Sequence, residues 1–157
     1  MIPINFRKTE QVDVTSPFKK FITNNFNKKL WEESSPLFTQ FAELRSKIIK
    51  IPTINAPSPQ VYEAVHSYLK YIHAFSSRFK FAYGKTFVTV SFAWYDCFAT
   101  KKTKVVKSLN INFERLSVLF NLAALHSLEA CVQDRTAVEG IKESCKQFQI
   151  AAGILTM

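Results

Sequence analysis

The chain has 157 residues, of which 47% are hydrophobic and 21% charged, values that exclude a largely disordered protein and favour one globular domain. Lysine and arginine outnumber aspartate and glutamate by 21 to 12. The net charge of +9 favours anionic partners such as lipid headgroups, nucleic acid or acidic peptides, and a soluble protein that is merely basic is the alternative. Fifteen phenylalanines against three glycines favour helices with bulky packing over a turn-rich β fold.

Cysteine usage and apolar runs bear on the compartment. Cys97, Cys131 and Cys145 are an odd number without CxxC spacing, which disfavours a disulfide framework or a zinc site and favours a reducing, intracellular compartment. The first ten residues lack the apolar core of a secretory signal. The charge-free run at residues 116–128 is shorter than the roughly 18 to 20 apolar residues of a membrane span. We therefore expect no membrane-spanning segment.

Serine-proline pairs punctuate the first half of the chain. Residues 1–15 are mixed and polar, and we expect them to lie on the surface with a short extended piece. Serine-proline pairs follow at 16–17, 35–36 and 58–59, each ahead of apolar residues at helical spacing. Serine can cap free backbone amides, and proline fits the first helical turn. The pattern predicts one helix beginning at each pair.

A strand is predicted next. Between residues 87 and 94, Val88, Val90, Phe92 and Trp94 alternate with smaller or more polar side chains, and a period of two in a β-rich composition is typical of a strand. The stretch ATKKTKVVK, residues 99–107, has four lysines and no glycine. We interpret it as a basic connector between the strand and the helices that follow.

Two long helices are predicted in the last third, from about residue 108 to 132 and from about 137 to the chain end. The link QDRT between them is short, so the helices must form an antiparallel hairpin. Thr136 and Glu139 have the spacing of a capping box for the second helix. Its apolar stripe is predicted to contain Ile141, Cys145, Phe148, Ala152 and Leu155.

The final segment, IAAGILTM, is apolar, has helical period and carries no helix-stop signal. A helix that ends in this way leaves hydrophobic surface open to water, which monomers usually avoid. We therefore expect residues 1–157 to be part of a longer domain that is truncated at its C-terminal end.

Four stretches carry a family resemblance: RKTEQVDVTSPFKKFI (7–22), FVTVSFAWYDCF (87–98), SLNINFERLSVLFNLAALHS (108–127) and EGIKESCKQFQIAAGIL (139–155). In this order and spacing they resemble the N-terminal part of a Bro1 domain. The resemblance implies a mainly α fold, with a boomerang-shaped, tetratricopeptide-like helical core and a short N-terminal β element. On this basis the chain is an incomplete domain.

The resemblance also implies a non-enzymatic adaptor in endosomal, multivesicular-body sorting, cytoplasmic and peripherally associated with endosomes. Such domains bind a C-terminal amphipathic helix of ESCRT-III filament subunits by helix-in-groove recognition. In the family the main apolar patch for this helix lies beyond the region represented here, so no residue of that patch is carried over. We expect residues 1–157 alone to bind the filament helix weakly or not at all.

The sequence departs from the family pattern at two places. Some members have a glycine-rich loop with an exposed aromatic tip where residues 99–107 have neither glycine nor aromatic. Val138 stands where family members can carry an acid. The contacts that depend on these features are therefore not expected in this chain.

Catalysis, metals and cofactors have little support, since no Gly-rich phosphate loop, nucleophile elbow or HExxH spacing occurs. His126 is interpreted as a hydrogen-bonded core residue, and His66 with His73 as surface or packing residues without a third ligand. Cys131 and Cys145 are expected to be buried free cysteines that face each other across the hairpin. Asp96 is expected to accept backbone hydrogen bonds in a turn. We expect no catalytic residue, no metal and no cofactor.

The connector lysines are the candidate binding residues: Lys101, Lys102, Lys104 and Lys107. Four positive charges in one connector favour peripheral contact with an anionic membrane, at about 1 kcal/mol per basic residue near the surface. A solvated loop that keeps the protein soluble is the alternative. Nucleic acid is a rival explanation of the net charge, but the aromatic residues fall at core periodicity and are not interleaved with basic ones as a stacking platform requires.

Overall fold

The fold is mainly helical, as the sequence predicts, in a computed structural model that describes residues 2–99 and 104–157. Its helices and strands are α1 (Thr15–Asn25), α2 (Lys28–Lys50), α3 (Pro59–Arg78), β1 (Phe92–Tyr95), β2 (Val105–Ser108), α4 (Ile111–Val132) and α5 (Val138–Leu155). A short 3-10 helix, Ile51–Thr53, continues α2. The helices pack on one another in chain order, and β1 lies against α4.

The first helix begins one residue earlier than the serine-proline pair predicts, and a different residue caps it. The carboxylate of Asp13 accepts the backbone N–H groups of Thr15 and Ser16 at 2.9 and 3.0 Å. Hydrogen bonds from the Ser16 side chain and backbone hold the pKa of Asp13 below its usual value. The prediction for α3 is confirmed, since this helix begins at Pro59 with Ser58 at the N-cap.

The helix start predicted at Pro36 is wrong, because α2 runs through this residue without interruption. A proline inside a helix has no N–H, so the carbonyl four residues earlier loses its partner. Here that carbonyl belongs to Glu32, and the hydroxyl of Ser35 donates a hydrogen bond to it at 3.1 Å. Ser35, which the pattern predicts as a helix cap, therefore supplies a hydrogen bond that Pro36 cannot make inside α2.

The strand is shorter than predicted and has a partner that the sequence reading missed. β1 pairs antiparallel with β2, from Phe92 opposite Ser108 to Tyr95 opposite Val105. The basic stretch 99–107 is thus not only a connector, because part of it forms the second strand of a hairpin. Val88 and Val90 are buried as the alternation predicts, although they precede β1.

The N-terminal segment lies along the other side of β1. Tyr95 N–H donates to the Lys8 carbonyl at 2.9 Å, and Glu10 N–H donates to the Ala93 carbonyl at 3.3 Å. The side chain of Thr9 donates to the same Ala93 carbonyl at 2.6 Å. The extended piece predicted near the start is therefore part of the β element and more than a surface segment.

The core of the first three helices is aromatic. Phe18 of α1 stacks on Phe38 of α2 with ring centroids 4.6 Å apart, and Phe41 of α2 stacks on Tyr68 of α3 at 4.9 Å. Phe75 of α3 contacts Phe18, Phe38 and Phe41. Aromatic pairs of this kind add about 0.5 to 1.5 kcal/mol each beyond the burial of their area. Several of the phenylalanines therefore form one aromatic cluster between the first three helices.

Helix α4 is the most apolar helix and lies inside the fold. By length and composition alone it is the one helix in the described part of the chain that could cross a membrane, yet half of its most apolar window is buried in the protein. The buried residues Val118, Leu122 and Leu125 belong to the hydrophobic core, and Ala123 and Ala124 are fully buried. α4 is therefore best explained as the central helix of this fold.

The α4 and α5 hairpin is confirmed, but the face of α5 that packs inward is not the predicted one. Ser144, Gln147 and Ala151 are buried, and the Ser144 hydroxyl donates to the Ala130 carbonyl of α4 at 2.8 Å. Ile141, Cys145, Ala152 and Leu155 of the predicted stripe are exposed. Small residues on both helices let the backbones of α4 and α5 approach closely. This close packing is favoured over an arrangement that buries the longer apolar side chains of α5.

The start of α5 also differs from the prediction. Thr136 donates through its backbone and its hydroxyl to the Asp134 carboxylate, at 2.9 and 2.7 Å, and α5 has no side-chain cap. The predicted capping box between Thr136 and Glu139 is therefore wrong. Gly140 lies so close to the link that an added Cβ would come within 1.7 Å of the Asp134 carbonyl oxygen.

Candidate interaction surfaces

Buried polar residues on α4 bind the N-terminal segment. Asn121 accepts the Arg7 N–H at 2.8 Å and donates to the Arg7 carbonyl at 2.9 Å. Ser117 accepts a hydrogen bond from the Arg7 guanidinium at 2.9 Å, and Ser127 accepts the Ile4 N–H at 3.1 Å. The polar residues that interrupt the apolar sequence of α4 thus supply hydrogen-bond partners for the backbone of the extended N-terminal segment and for the Arg7 side chain. Their role is structural.

Glu114 is the centre of a second buried network. Its carboxylate accepts hydrogen bonds from Arg45 Nε at 3.2 Å, from the Tyr68 hydroxyl at 2.8 Å and from Trp94 Nε1. Glu114 is 0% exposed and Arg45 is 1% exposed. Burial, together with the nearby Glu114 charge, raises the pKa of Tyr68 well above its ordinary value.

The other two nitrogens of Arg45 are also occupied. They donate to the Glu10 carbonyl at 2.8 Å and to the Thr9 hydroxyl at 3.0 Å. The network therefore joins the N-terminal segment, α2, α3, β1 and α4. Because a substrate cannot reach groups that are this deeply buried and fully bonded, the network stabilises the fold and does not catalyse. The sequence signal was an acid in the first turn of the apolar helix α4, and the sequence analysis did not assign it a role.

The candidate lysines are only partly described. Lys101 and Lys102 lie outside the residues that the structure describes. Lys104 and Lys107 are exposed, and Lys107 lies on β2 opposite Ala93. The two described lysines therefore belong to a β-hairpin. Their contact with an anionic surface stays a prediction.

An exposed aromatic residue borders this hairpin. Phe98 is 69% exposed and its ring contacts that of Phe120 edge-on at 5.9 Å. The Asp96 carboxylate accepts the Phe98 N–H at 2.9 Å, which confirms the turn role expected for Asp96. Burial raises the pKa of the neighbouring Cys97 thiol. The turn therefore has no activated thiol.

His126 is a hydrogen-bonded packing residue, as expected. Its Nδ1 lies 2.6 Å from Gln147 Oε1 of α5, and its ring lies 4.8 Å from that of Tyr62 on α3. The Tyr62 hydroxyl donates to Glu129, and burial together with this carboxylate raises the pKa of Tyr62. These contacts join α3, α4 and α5.

The other two histidines and the cysteines form no site. His66 and His73 are exposed and line a shallow depression with Lys70 and Arg115. No group of three histidine, cysteine or acidic residues that could hold a metal ion occurs in the described ranges. The three cysteines are free.

The prediction of two buried cysteines across the hairpin is wrong for Cys145, which is exposed, while Cys131 is partly buried. The physical reason is the rotation of α5 that turns Ser144 and Gln147 toward α4. This rotation leaves an apolar surface on the far side of α5, the α5 outer face, formed by Val138, Ile141, Cys145 and Leu155.

Comparison with known proteins places this fold in a family. The sequence model of the BRO1-like domain matches residues 1–157. The chain is 32% identical over 154 residues to "ALG-2 interacting protein X" of Dictyostelium discoideum, covering 98% of this chain and 18% of that protein. It is also 32% identical over 155 residues to "Vacuolar-sorting protein BRO1" of Arabidopsis thaliana, with the same coverage.

A solved structure has the same fold. The "ALIX BRO1 CHMP4C complex" superposes with a TM-score of 0.68 at 24% identity, covering 98% of this chain and 44% of that one. The chain spans less than a fifth of the length of each of the two relatives from Dictyostelium discoideum and Arabidopsis thaliana. A family match over all 157 residues, with the same fold, shows that the chain belongs to the BRO1-like domain family.

Proposed function

We propose that residues 1–157 are the N-terminal part of a non-enzymatic adaptor domain that binds an amphipathic helix of an ESCRT-III filament subunit in endosomal, multivesicular-body sorting. The observation that carries the proposal is the match to the BRO1-like domain over the whole chain. Further support comes from one relative, which is named as a vacuolar-sorting protein, and from the solved complex, which contains CHMP4C, an ESCRT-III protein. The adaptor acts in the cytoplasm and associates peripherally with endosomes.

The absence of enzymatic activity is part of the proposal. The buried ionisable groups that the structure describes are engaged with internal partners, as Glu114 and Arg45 are. The exposed histidines lack the ligand cluster that a metal would need in these ranges. Protein binding is the function that the exposed apolar residues of the α5 outer face support best, and it requires no cofactor.

The α5 outer face has a defined role in this proposal. Apolar residues at helical spacing on a solvent-facing surface usually pack against another protein element. In the complete domain, further helices cover this face and supply the main patch for the filament helix. The present chain then binds the partner weakly or not at all.

The proposal is tested with a fluorescently labelled C-terminal helix of CHMP4C and two protein preparations. One is the complete coding product that contains this sequence, and the other is residues 1–157. Fluorescence anisotropy is expected to show saturable binding to the complete product and little binding to residues 1–157. No binding to the complete product contradicts the proposed function. Equal binding to both contradicts the placement of the main site beyond residue 157.

A basic protein that binds anionic membranes or nucleic acid is the second candidate function, favoured by the net charge of +9. The connector lysines are its proposed contact, with Lys104 and Lys107 exposed near the hairpin. Charge reversal at Lys101, Lys102, Lys104 and Lys107 is expected to weaken vesicle binding. Unchanged binding after this reversal contradicts the lysine contact. A salt-dependent gel shift with RNA or DNA favours nucleic acid instead.

A further inference from the structure

The corner between α1 and α2 combines exposed aromatic side chains with lysines. We define this α1–α2 corner by three exposed apolar residues, Phe26, Leu30 and Tyr83, and by five lysines, Lys19, Lys20, Lys28, Lys29 and Lys85. None of its residues belongs to the hairpin lysines or to the α5 outer face.

Phe26 is held at the apex by backbone hydrogen bonds. Its N–H donates to the Ile22 carbonyl at 2.9 Å, which closes α1. The next residue, Asn27, accepts the Leu30 N–H at 2.7 Å and so caps α2. The Phe26 ring contacts that of Phe21 at 6.2 Å but remains 62% exposed. The ring therefore points to solvent from a well-defined turn between two capped helices.

A second turn brings Tyr83 to the same corner. The side-chain amide of Asn25 donates to the Lys85 carbonyl at 3.1 Å. Gly84 has a φ of 132°, a conformation that other residues rarely adopt, and this fixes the turn. Tyr83 is 78% exposed. Lys20 of α1 and Lys85 of the second turn line the same groove.

The corner is positively charged. Lys28 and Lys29 lie 3.6 and 3.9 Å from Glu32 and Glu33, so each of these exposed pairs is close to neutral overall. The other three lysines form no ion pair with a residue that the structure describes: Lys19, Lys20 and Lys85. Asp13 lies in the same groove, but its carboxylate caps α1. The five lysines outnumber Glu32, Glu33 and Asp13, so the corner keeps a modest excess of positive charge.

We propose that the α1–α2 corner binds the surface of an anionic phospholipid bilayer. Phe26 and Tyr83 enter the headgroup region, where aromatic rings are favoured, while Leu30 follows at its edge and the lysines contact lipid phosphates. Phe26 and Tyr83 protrude from two separate turns, which suits a deformable bilayer. A rigid protein partner would instead require a pocket that accepts both turns, and nucleic acid would require a continuous stacking surface.

Lipid binding is tested first by charge. The purified protein is sedimented with vesicles that contain phosphatidylserine and with vesicles of phosphatidylcholine alone. Replacement of Lys20 and Lys85 by glutamine is expected to lower partitioning onto the anionic vesicles about 25-fold, since each basic residue near the surface contributes a factor of about five. Replacement of Lys47 and Lys50 is the matched control. This pair removes the same charge at the far end of α2, about 30 Å from Lys28 at the helical rise.

Insertion is tested by fluorescence. Trp31 and Trp94 are buried, so a Phe26→Trp variant adds one exposed reporter at the apex. Its emission is expected to shift to shorter wavelength on anionic vesicles and to be quenched by brominated lipids. Phe26→Ser is expected to weaken binding several-fold without loss of fold, because the ring is mostly exposed. Circular dichroism of each variant verifies the fold.

Several outcomes overturn the proposal. Unchanged vesicle binding by the Lys20/Lys85 variant does so, as does an equal loss in the Lys47/Lys50 control. Absence of lipid quenching in Phe26→Trp also does so. If the corner variants lose binding to RNA or to an acidic protein while vesicle binding is unchanged, the corner recognises a different class of partner. These readouts do not involve the CHMP4C helix, so their failure is distinct from failure of the proposed adaptor function.

Discussion

Arg45→Met is the most informative test of the buried network. The substitution keeps a long, flexible, apolar side chain but removes the positive charge beside Glu114, whose carboxylate then keeps only Tyr68 and Trp94 as donors. It also removes the donors to the Glu10 carbonyl and the Thr9 hydroxyl. Removing one partner of a buried ion pair costs about 3 to 5 kcal/mol.

This loss is a large part of the roughly 5 to 15 kcal/mol of total stability expected for a domain. The assay is urea unfolding followed by tryptophan fluorescence, with the free energy of unfolding extrapolated to water. Lys47→Met on the same helix is the matched control, and as an exposed change it is expected to alter stability by less than about 0.5 kcal/mol. Arg45→Lys is expected to fall between the two, because an ammonium group keeps the charge, but its three N–H donors share one nitrogen and cannot reach acceptors that lie around a whole guanidinium group.

If Arg45→Met lowers the free energy of unfolding by no more than about 0.5 kcal/mol, as for an exposed site, the buried pair does not stabilise the fold as argued. If Arg45→Lys is as destabilising as Arg45→Met, the hydrogen-bond geometry dominates over charge compensation.

Three further predictions concern local structure, each measured by chemical or thermal unfolding. Pro36→Ala is expected to raise stability by about 1 to 3 kcal/mol, because it restores the missing N–H inside α2, and a loss of stability would contradict this. Gly140→Ala is expected to destabilise the protein by about 2 kcal/mol or more, because its Cβ would collide with the Asp134 carbonyl. Gly153→Ala, which has open space around it, is expected to stabilise the protein by up to about 1 kcal/mol. Equal effects of the two substitutions would disprove the close approach at Gly140. Asp13→Ala is expected to cost about 1 kcal/mol at neutral pH through the lost cap. Because the folded-state pKa of Asp13 is depressed, the cap stabilises above its unfolded-state value of 3.8, and the difference between wild type and variant should vanish as pH falls through the folded-state pKa.

Sequence periodicity predicted the helical class, the α3 start and the α4–α5 hairpin, because these depend on local spacing and on one short link. Periodicity failed at Pro36. The pair Ser35-Pro36 lies in the interior of α2, where the Ser35 hydroxyl bonds the Glu32 carbonyl, whereas the same two residue types begin α3. A serine-proline pair alone does not tell a helix start from a helix interior. What decides is whether a helix has already begun upstream, as α2 has at its N-cap Asn27.

The face of α5 was mispredicted for a related reason. Apolar periodicity identifies the longer hydrophobic side chains, such as Ile141 and Leu155, as the packing stripe. The structure instead packs Ser144 and Ala151, because small residues on both helices permit contact between backbones. The α1–α2 corner was not predicted either, since Phe26 and Tyr83 are 57 positions apart and their segments are joined by the Asn25 contact to Lys85.

The contact between Arg7 and Asn121 also constrains the order in which the chain can fold. The two residues are separated by 114 positions, so the paired hydrogen bonds between them close a loop that contains most of the sequence. Long loops cost more entropy and slow folding. On the ribosome, at about 5 to 20 residues per second, the first segment must wait for α4 to emerge before its partners exist. The first residues to be synthesised are therefore expected to be among the last to reach their native positions.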